Sequence, residues 1–310
     1  MHMYSPCQWI LIFYIYGFFG WIFESCYVSI RQKTWVNRGF LKGPLLPIYA
    51  SGAILMLVVS LPIRDNYVAT FFAGMVAATA LEYVVGVGME TLFKVKYWDY
   101  SNQKFNFQGR ICFSSSIAWG GFTILMTEVL HKPVDYVMMH IPDWLLYTSV
   151  IIASVVFVTD TIVSVKAALD LRFMLEKLTK IRQDIEDLQV QYALAKANAK
   201  DYIDEISERS KLQVADIQED VKERWEVIQE KFAYSEEFLA EMREKYPELY
   251  RIHNKFSEKR KEYSSLLAKT GSGLKKQLLK NNPSATSKKF RNALADARYH
   301  IHKRKNKNKK

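Results

Sequence analysis

Three carboxylates and two guanidinium groups stand where an apolar chain gives ionisable side chains least reason to be. Glu24, Glu82 and Glu90 interrupt or end long hydrophobic runs, and Arg38 and Arg110 stand at the entries to two others. A carboxylate near the centre of a bilayer costs several kcal/mol, so it is retained for pairing or for function. Glu24 lies about 9 Å, at helical rise, from the polar end of its run. Glu82 and Glu90 fall within roughly 80° of each other around a helix. The five groups form either salt bridges that lock helices together or a polar path or pocket. In the second case the arginines hold an anionic group, and a carboxylate with a shifted pKa exchanges protons. Asp160, near the end of a later run, either joins the cluster or faces water.

Two loops must position these groups. The stretch from Val36 to Ala53 passes from a basic loop containing Asn37 and Arg38 into an apolar segment, with Gly39, Gly43, Pro44 and Pro47 at the entry. Glycine opens backbone angles closed to other residues and proline removes an amide donor, which predicts a shaped entrance rather than a plain helix. Such irregularity survives in hydrocarbon only where protein or a polar cavity surrounds it. The second loop runs from Tyr97 to Cys112 and alternates aromatics with hydrogen-bonding residues. Trp98, Tyr100, Phe105 and Phe107 suit an interfacial belt, while Asp99, Asn106 and Arg110 satisfy the loop backbone or hold a headgroup. The predicted polar site therefore comprises Glu24, Asn37, Arg38, Glu82, Glu90, Trp98, Asp99, Asn106 and Arg110, at the inner leaflet.

Behind the loops stands a membrane half joined to a charged half. A content of 24% charged residues would suit a soluble protein, but the charge is unevenly spread. Residues 1–165 carry 10 Lys/Arg and 9 Asp/Glu, leaving 33 and 23 for the rest, so nearly all of the net charge of +11 lies in the second half. The first half holds apolar runs at 8–30, 44–63, 67–90, 111–130 and 143–165, each close to the ~20 residues of a spanning helix. The third run, interrupted by Glu82, is the least secure. The pattern predicts an all-α fold: a five-span membrane bundle, with four to six as the range, followed by a cytoplasmic coiled-coil arm.

Loops 31–43 and 91–110 are rich in Lys and Arg, whereas the intervening loops hold only Arg64 and Lys132. The positive-inside rule then places the N-terminus outside and the C-terminus in the cytoplasm of a multi-pass cell-membrane protein. No basic region precedes the first run, so a cleaved signal peptide is not expected. Cys7, Cys26 and Cys112 show neither paired nor metal-ligand spacing, and no disulfide is expected.

After Val165 the spacing of Leu171, Met174, Leu178, Ile181, Ile185, Leu188, Tyr192, Ala195, Ala199, Tyr202 and Ile206 alternates threes and fours, as in a coiled-coil seam. Val214 to Phe232 form a second stripe in a slipped register, and a further helix is expected over about 248–268. The domains expected are 1–165, membrane; 166–270, coiled coil or helical hairpin; and 271–310, a basic C-terminal helix and tail with a turn at Asn281-Asn282-Pro283. The seam can pair in cis, or in trans to make a homo-oligomer. The basic tail suits membrane lipids, and nucleic acid is not an expected partner.

The chain carries no recognisable catalytic signature. There is no nucleophile beside a base, no phosphate-binding loop and no metal-ligand cluster, so no cofactor or metal is expected. His131 and His140 fall on the opposite side from the carboxylates and read as incidental, and His300 and His302 belong to the tail.

Several ordered motifs carry a family likeness: Gly17 to Glu24, Val36 to Pro44 with Pro47 to Tyr49, Leu81 to Tyr83 with Glu90, and Trp98 to Tyr100 leading to Asn106 and Gly109 to Cys112. Over about residues 10–130 the chain resembles the putative ABC-transporter type IV permease family, also described as CmpB-like. That resemblance implies a bacterial integral membrane protein acting as a transporter permease, with any ATPase supplied by a separate ATP-binding subunit. Two other classes stay open: a scaffold or regulator that recruits a partner through its coiled coil, and an enzyme acting on a lipid headgroup with Glu24 or Glu90 as acid or base.

Overall fold

A computed structural model describes residues 4–198 and 236–307. The chain divides into two compact units, residues 1–175 with 270–310, and residues 176–269.

In the first unit, α1 (Pro6–Gln32) begins at a capping box in which Ser5 accepts the Gln8 amide, with Pro6 in the opening turn, and it ends at Lys33 in the left-handed region. Satisfying the orphan amides and then turning the chain sharply defines both ends. Helix α3 (Tyr67–Phe93) follows the same plan, capped by Asn66 and closed by left-handed Lys94. Between them α2 (Pro47–Ser60) runs on into a 3-10 turn, Leu61–Ile63. Helix α4 (Phe113–Leu125) continues through a π-helical turn, Met126–Leu130, into α5 (His131–His140). The long α6 (Asp143–Asn198) begins in this unit. Helix α2 packs between α1 and α3, and α4 lies along α3.

Small residues set these approaches. A Cβ on Gly20 would sit 2.4 Å from the Tyr49 Cβ, and one on Gly74 would meet Thr123 Oγ1 at 2.0 Å. In a lipid setting the helices gain nothing from hydrophobic exclusion of one another, and close packing through such positions holds them. Tyr4, Ile12, Tyr16, Ala53, Leu57, Met126 and Met138 form a buried cluster toward the N-terminal end of α1.

Among the described residues, three helices are long and apolar enough to cross a bilayer: Pro6–Gln32, Tyr67–Phe93 and the segment of α6 from Asp143 to Ala195. The third apolar run is thus one uninterrupted 27-residue helix despite its two glutamates. Two of the five expected spans take another form. The second run gives only Pro47–Ile63, because Gly43 to Leu46 are used in the irregular entrance and Pro47 can start a helix but not extend one backwards. The fourth gives a 13-residue α-helix before the π turn changes its pitch.

The loop before α4 folds into a two-residue hairpin, β1 (Asn106–Phe107) against β2 (Ile111–Cys112), antiparallel. Residues 270–310 belong to the same unit: α9 (Gly273–Asn281), a connecting turn, and α10 (Arg291–Lys307). The connecting turn bridges to the loop, since Lys96 and Thr286 exchange backbone hydrogen bonds of 2.8 and 2.9 Å. The three cysteines are unpaired.

The second unit contains the C-terminal part of α6, α7 (Glu236–Lys245) and most of α8 (Pro247–Thr270). Tyr192, Met242, Leu249 and Ile252 form its buried cluster, and Lys259 pairs with Asp184 at 2.8 Å. From Leu171 onward along α6 the buried positions are Leu171, Leu175, Leu178, Ile181, Ile185 and Tyr192, so Leu175 occupies the register where the sequence suggested Met174. Ala199, Tyr202, Ile206, the stripe from Val214 to Phe232 and the last three tail residues lie outside the described residues.

Candidate functional site

The end of the first unit that carries loops 33–46 and 94–112 encloses a cavity of about 280 Å³. Its walls come from α1 to α4, the entrance loop, the aromatic loop and Asn282. Most of the lining is apolar or aromatic, including Leu46, Met56, Leu81, Tyr97 and Phe122, and the charged members are Glu24, Arg38 and Glu82.

Arg38 is seated by its own backbone, whose amide donates to Ser25 Oγ at 3.1 Å on α1, while Gly39 next to it holds φ at +147°, where a side chain would be strained. Its guanidinium has five N–H donors, and five acceptors surround it. Nε donates to Glu24 Oε1 at 3.4 Å, Nη1 to the Asn281 carbonyl at 3.4 Å and Asn282 Oδ1 at 3.0 Å, and Nη2 to the Tyr97 carbonyl and Ser284 Oγ, each at 3.3 Å. The Arg38 and Glu24 side chains are 11% and 22% exposed. The other Glu24 oxygen accepts from Tyr49 OH at 2.8 Å, a contact permitted by the close approach of α2 at Gly20. Arg38 is thus a saturated hub and has no donor left over for an incoming anion.

Glu82 is the opposite case. It is buried at 7% exposure, and its two oxygens accept from Tyr100 OH at 3.0 Å and Trp119 Nε1 at 3.1 Å. Both donors are neutral, and among the described residues Glu82 has no ion-pair partner. The carboxylate is therefore solvated by neutral dipoles alone, those of the two aromatic side chains and of the Ser115 hydroxyl.

Arg110 and Glu90 form a second, separate pair. Nε and Nη2 of Arg110 reach Glu90 Oε2 at 3.0 and 2.8 Å. The guanidinium also contacts Gln108 Oε1 and lies 5.7 Å from the centre of the Tyr83 ring. Trp98, which lines the cavity, donates from Nε1 to the Arg110 carbonyl at 2.9 Å. The pair itself stays outside the lining.

The remaining predicted residues shape the loops. Asn37 accepts from Trp21 Nε1 at 2.6 Å and donates to the Lys42 carbonyl at 2.9 Å. Asn106 donates to the Gln103 carbonyl and accepts from the Gly109 amide, which closes the hairpin. Asp99 accepts from the Ser101 amide at 3.0 Å and from Thr286 Oγ1 at 2.7 Å. Partial burial works to raise the Asp99 pKa, but the hydrogen bonds from Ser101 and Thr286, with the nearby Lys96 charge, outweigh it and hold the carboxyl below its ordinary value. Asp160 accepts the amides of Lys42 and Gly43 at 3.2 and 2.8 Å, pinning the entrance loop to α6.

Four residues join the site that the sequence reading left out: Tyr49, Tyr100, Trp119 and Asn282. A tryptophan in the middle of the fourth apolar run was a usable signal, since its N–H needs a partner when buried. Tyr49 and Tyr100 lay in the motifs already noted, but nothing local marked them as carboxylate donors. Asn282 was visible only as a turn residue.

At the other end of α1, His131 is buried between Tyr4 and Tyr16, whose hydroxyls lie 2.9 Å from Nε2 and 2.8 Å from Nδ1. A group read as incidental is thus a buried hydrogen-bonding centre, with Asp135 also touching the Tyr4 hydroxyl.

A family model described as putative ABC-transporter type IV matches residues 11–165, a stretch that contains all nine predicted site residues. No curated protein and no solved structure matches the chain.

Proposed function

Because the chain belongs to the putative ABC-transporter type IV family, we propose that it is the permease-like membrane component of a bacterial transport system and that the Glu24–Arg38–Glu82 cavity is its ligand site. In this reading the loops 31–43 and 91–110 are cytoplasmic, the N-terminus is outside, and the cavity opens at the inner leaflet. ATP hydrolysis comes from a separate chain, since the sequence contains no phosphate-binding loop. The observation that carries the reading is a roughly 280 Å³ cavity that combines aromatic walls with a buried carboxylate, Glu82, that has no cationic partner among the described residues. A purely structural helix contact would bury that carboxylate against a cation or replace it by an apolar side chain.

The described helices within residues 176–269 belong to a compact unit of their own, which favours a second role in recruiting a partner or a second copy of the chain. A headgroup enzyme fits less well, because neither Glu24 nor Glu90 has a reactive group beside it; each is held by an arginine.

Affinity purification of the full chain from native membranes tests the transport reading, with an ATP-binding subunit as the expected companion. Recovery of the chain with its lipids and no ATPase overturns it. In cells lacking the native copy, a Glu82→Gln variant should fail to restore growth, whereas replacing residues 176–269 by a long flexible linker, which keeps Asn281, Asn282 and Ser284 for the cavity wall, should reduce function only partly. The reverse order would mark the protein as a scaffold.

A further inference from the structure

The sequence suggested that the arginines would attract an anion, but the geometry of the cavity argues otherwise. All five Arg38 donors are already engaged, one of them by Glu24, and Arg110 is neutralised by Glu90 outside the lining. The charged groups of the lining are Glu24, Arg38 and Glu82, which sum to −1. The unbalanced charge resides on Glu82, held by Tyr100 and Trp119.

The surroundings of that charge are aromatic. Trp119 makes edge-to-face contacts with Tyr49 and Phe122, at centroid separations of 6.1 and 6.4 Å, and Tyr49, Tyr100, Trp119 and Phe122 all line the cavity. Ring faces attract cations, and quaternary ammonium groups are recognised by cages of this composition. A small inorganic ion would leave the apolar walls uncovered and would lack the ring of oxygen ligands that hard cations require. The volume, about 280 Å³, lies just below the range of about 300–1,000 Å³ found for small-molecule pockets, which suits a small ligand.

We infer that the cavity binds a small amphipathic organic cation, with the cationic head beside Glu82 and among the aromatic side chains of Tyr49, Tyr100 and Trp119, and the apolar body along Leu81 and Phe122. This inference rests on the cavity being the ligand site. It adds the sign of the charge and the class of the ligand.

Isothermal titration of the purified full-length protein in detergent, with no ATPase present, tests it directly. The probes are benzyltrimethylammonium, the neutral and nearly isosteric 2-methyl-1-phenylpropan-2-ol, and the anion phenylmethanesulfonate. The ammonium compound should bind saturably at one site and at least about tenfold more tightly than the alcohol, and the sulfonate should not compete. Glu82→Gln should bring the affinity for the cation down to that for the alcohol, and Trp119→Leu should weaken the cation in the same direction.

Tighter binding of the sulfonate, equal binding of cation and alcohol, or no binding of the cation to the unaltered protein overturns the inference. If Glu82→Gln does not fold, the charge series on the unaltered protein still decides. Cation binding without a companion ATPase would leave this inference standing while the transport reading fell. A companion ATPase with no cation binding would do the opposite.

Discussion

The two arginine–glutamate pairs at the loop end of the first unit look alike in sequence and differ in what they join. Arg110 reaches Glu90 and Gln108, all within 20 residues of one another, and fastens a hairpin to the end of its neighbouring helix. Arg38 pairs with Glu24 but also ties the entrance loop to Asn281, Asn282 and Ser284, up to 246 residues away. One pair secures a local turn. The other makes the C-terminal segment part of the cavity wall. The same chemical unit thus serves closure of a loop in one place and closure of a domain in the other, depending on how many further acceptors each guanidinium meets.

The sharpest test of that contrast is Arg38→Ala, which leaves Glu24 buried without its cation and orphans several acceptors. A loss of about 3–5 kcal/mol is expected, read as the largest drop in thermal midpoint of the purified protein, and release of residues 270–310 to limited proteolysis should accompany it. Arg110→Ala should cost less, about 1.5–3 kcal/mol, and leave the C-terminal segment protected. If the two variants released that segment equally, the distinction drawn here would collapse. Asn282→Ala removes one Arg38 acceptor and two donated bonds, to the Gly39 and Leu278 carbonyls. About 1–2 kcal/mol is expected, strongly non-additive with Arg38→Ala because they share a network.

The smallest effect concerns the other attachment of the segment, Asp99 to Thr286. The Asp99 carboxyl is held below its ordinary value, so its contribution is fully present above the unfolded carboxylate pKa of about 3.9. It is lost as the pH falls through the lower folded value. The difference in thermal midpoint between the unaltered protein and Asp99→Asn should therefore be constant at neutral pH and shrink below about pH 4. A difference that grew on acidification would show that the carboxylate is not held by these donors.

Chain punctuation was legible at the entrance to α2, where Pro47 and the glycines before it were readable because chain breaking acts over a few residues. The apolar runs were equally visible, although length alone overstated two of them. Where Pro47 starts α2 late and the π turn alters α4, only the folded backbone shows how much of each run becomes regular helix. Of the candidate site, the charged residues and their general level were readable. Their pairing was not, because helical periodicity places Glu82 and Glu90 near one face without saying which faces a partner chain segment.

The sequence by itself determined that the first half of this protein is apolar helix suited to a membrane, that ionisable groups gather toward the charged loops, and which family it belongs to. These are properties of composition, local spacing and motif order. Only the tertiary structure decided that Arg38 is saturated, that Glu82 is held by two aromatic donors and by no cation among the described residues, and that Asn282 completes the wall. Each depends on contacts between segments far apart in the chain, where chain reversal and burial choose the partner and no local pattern records the choice.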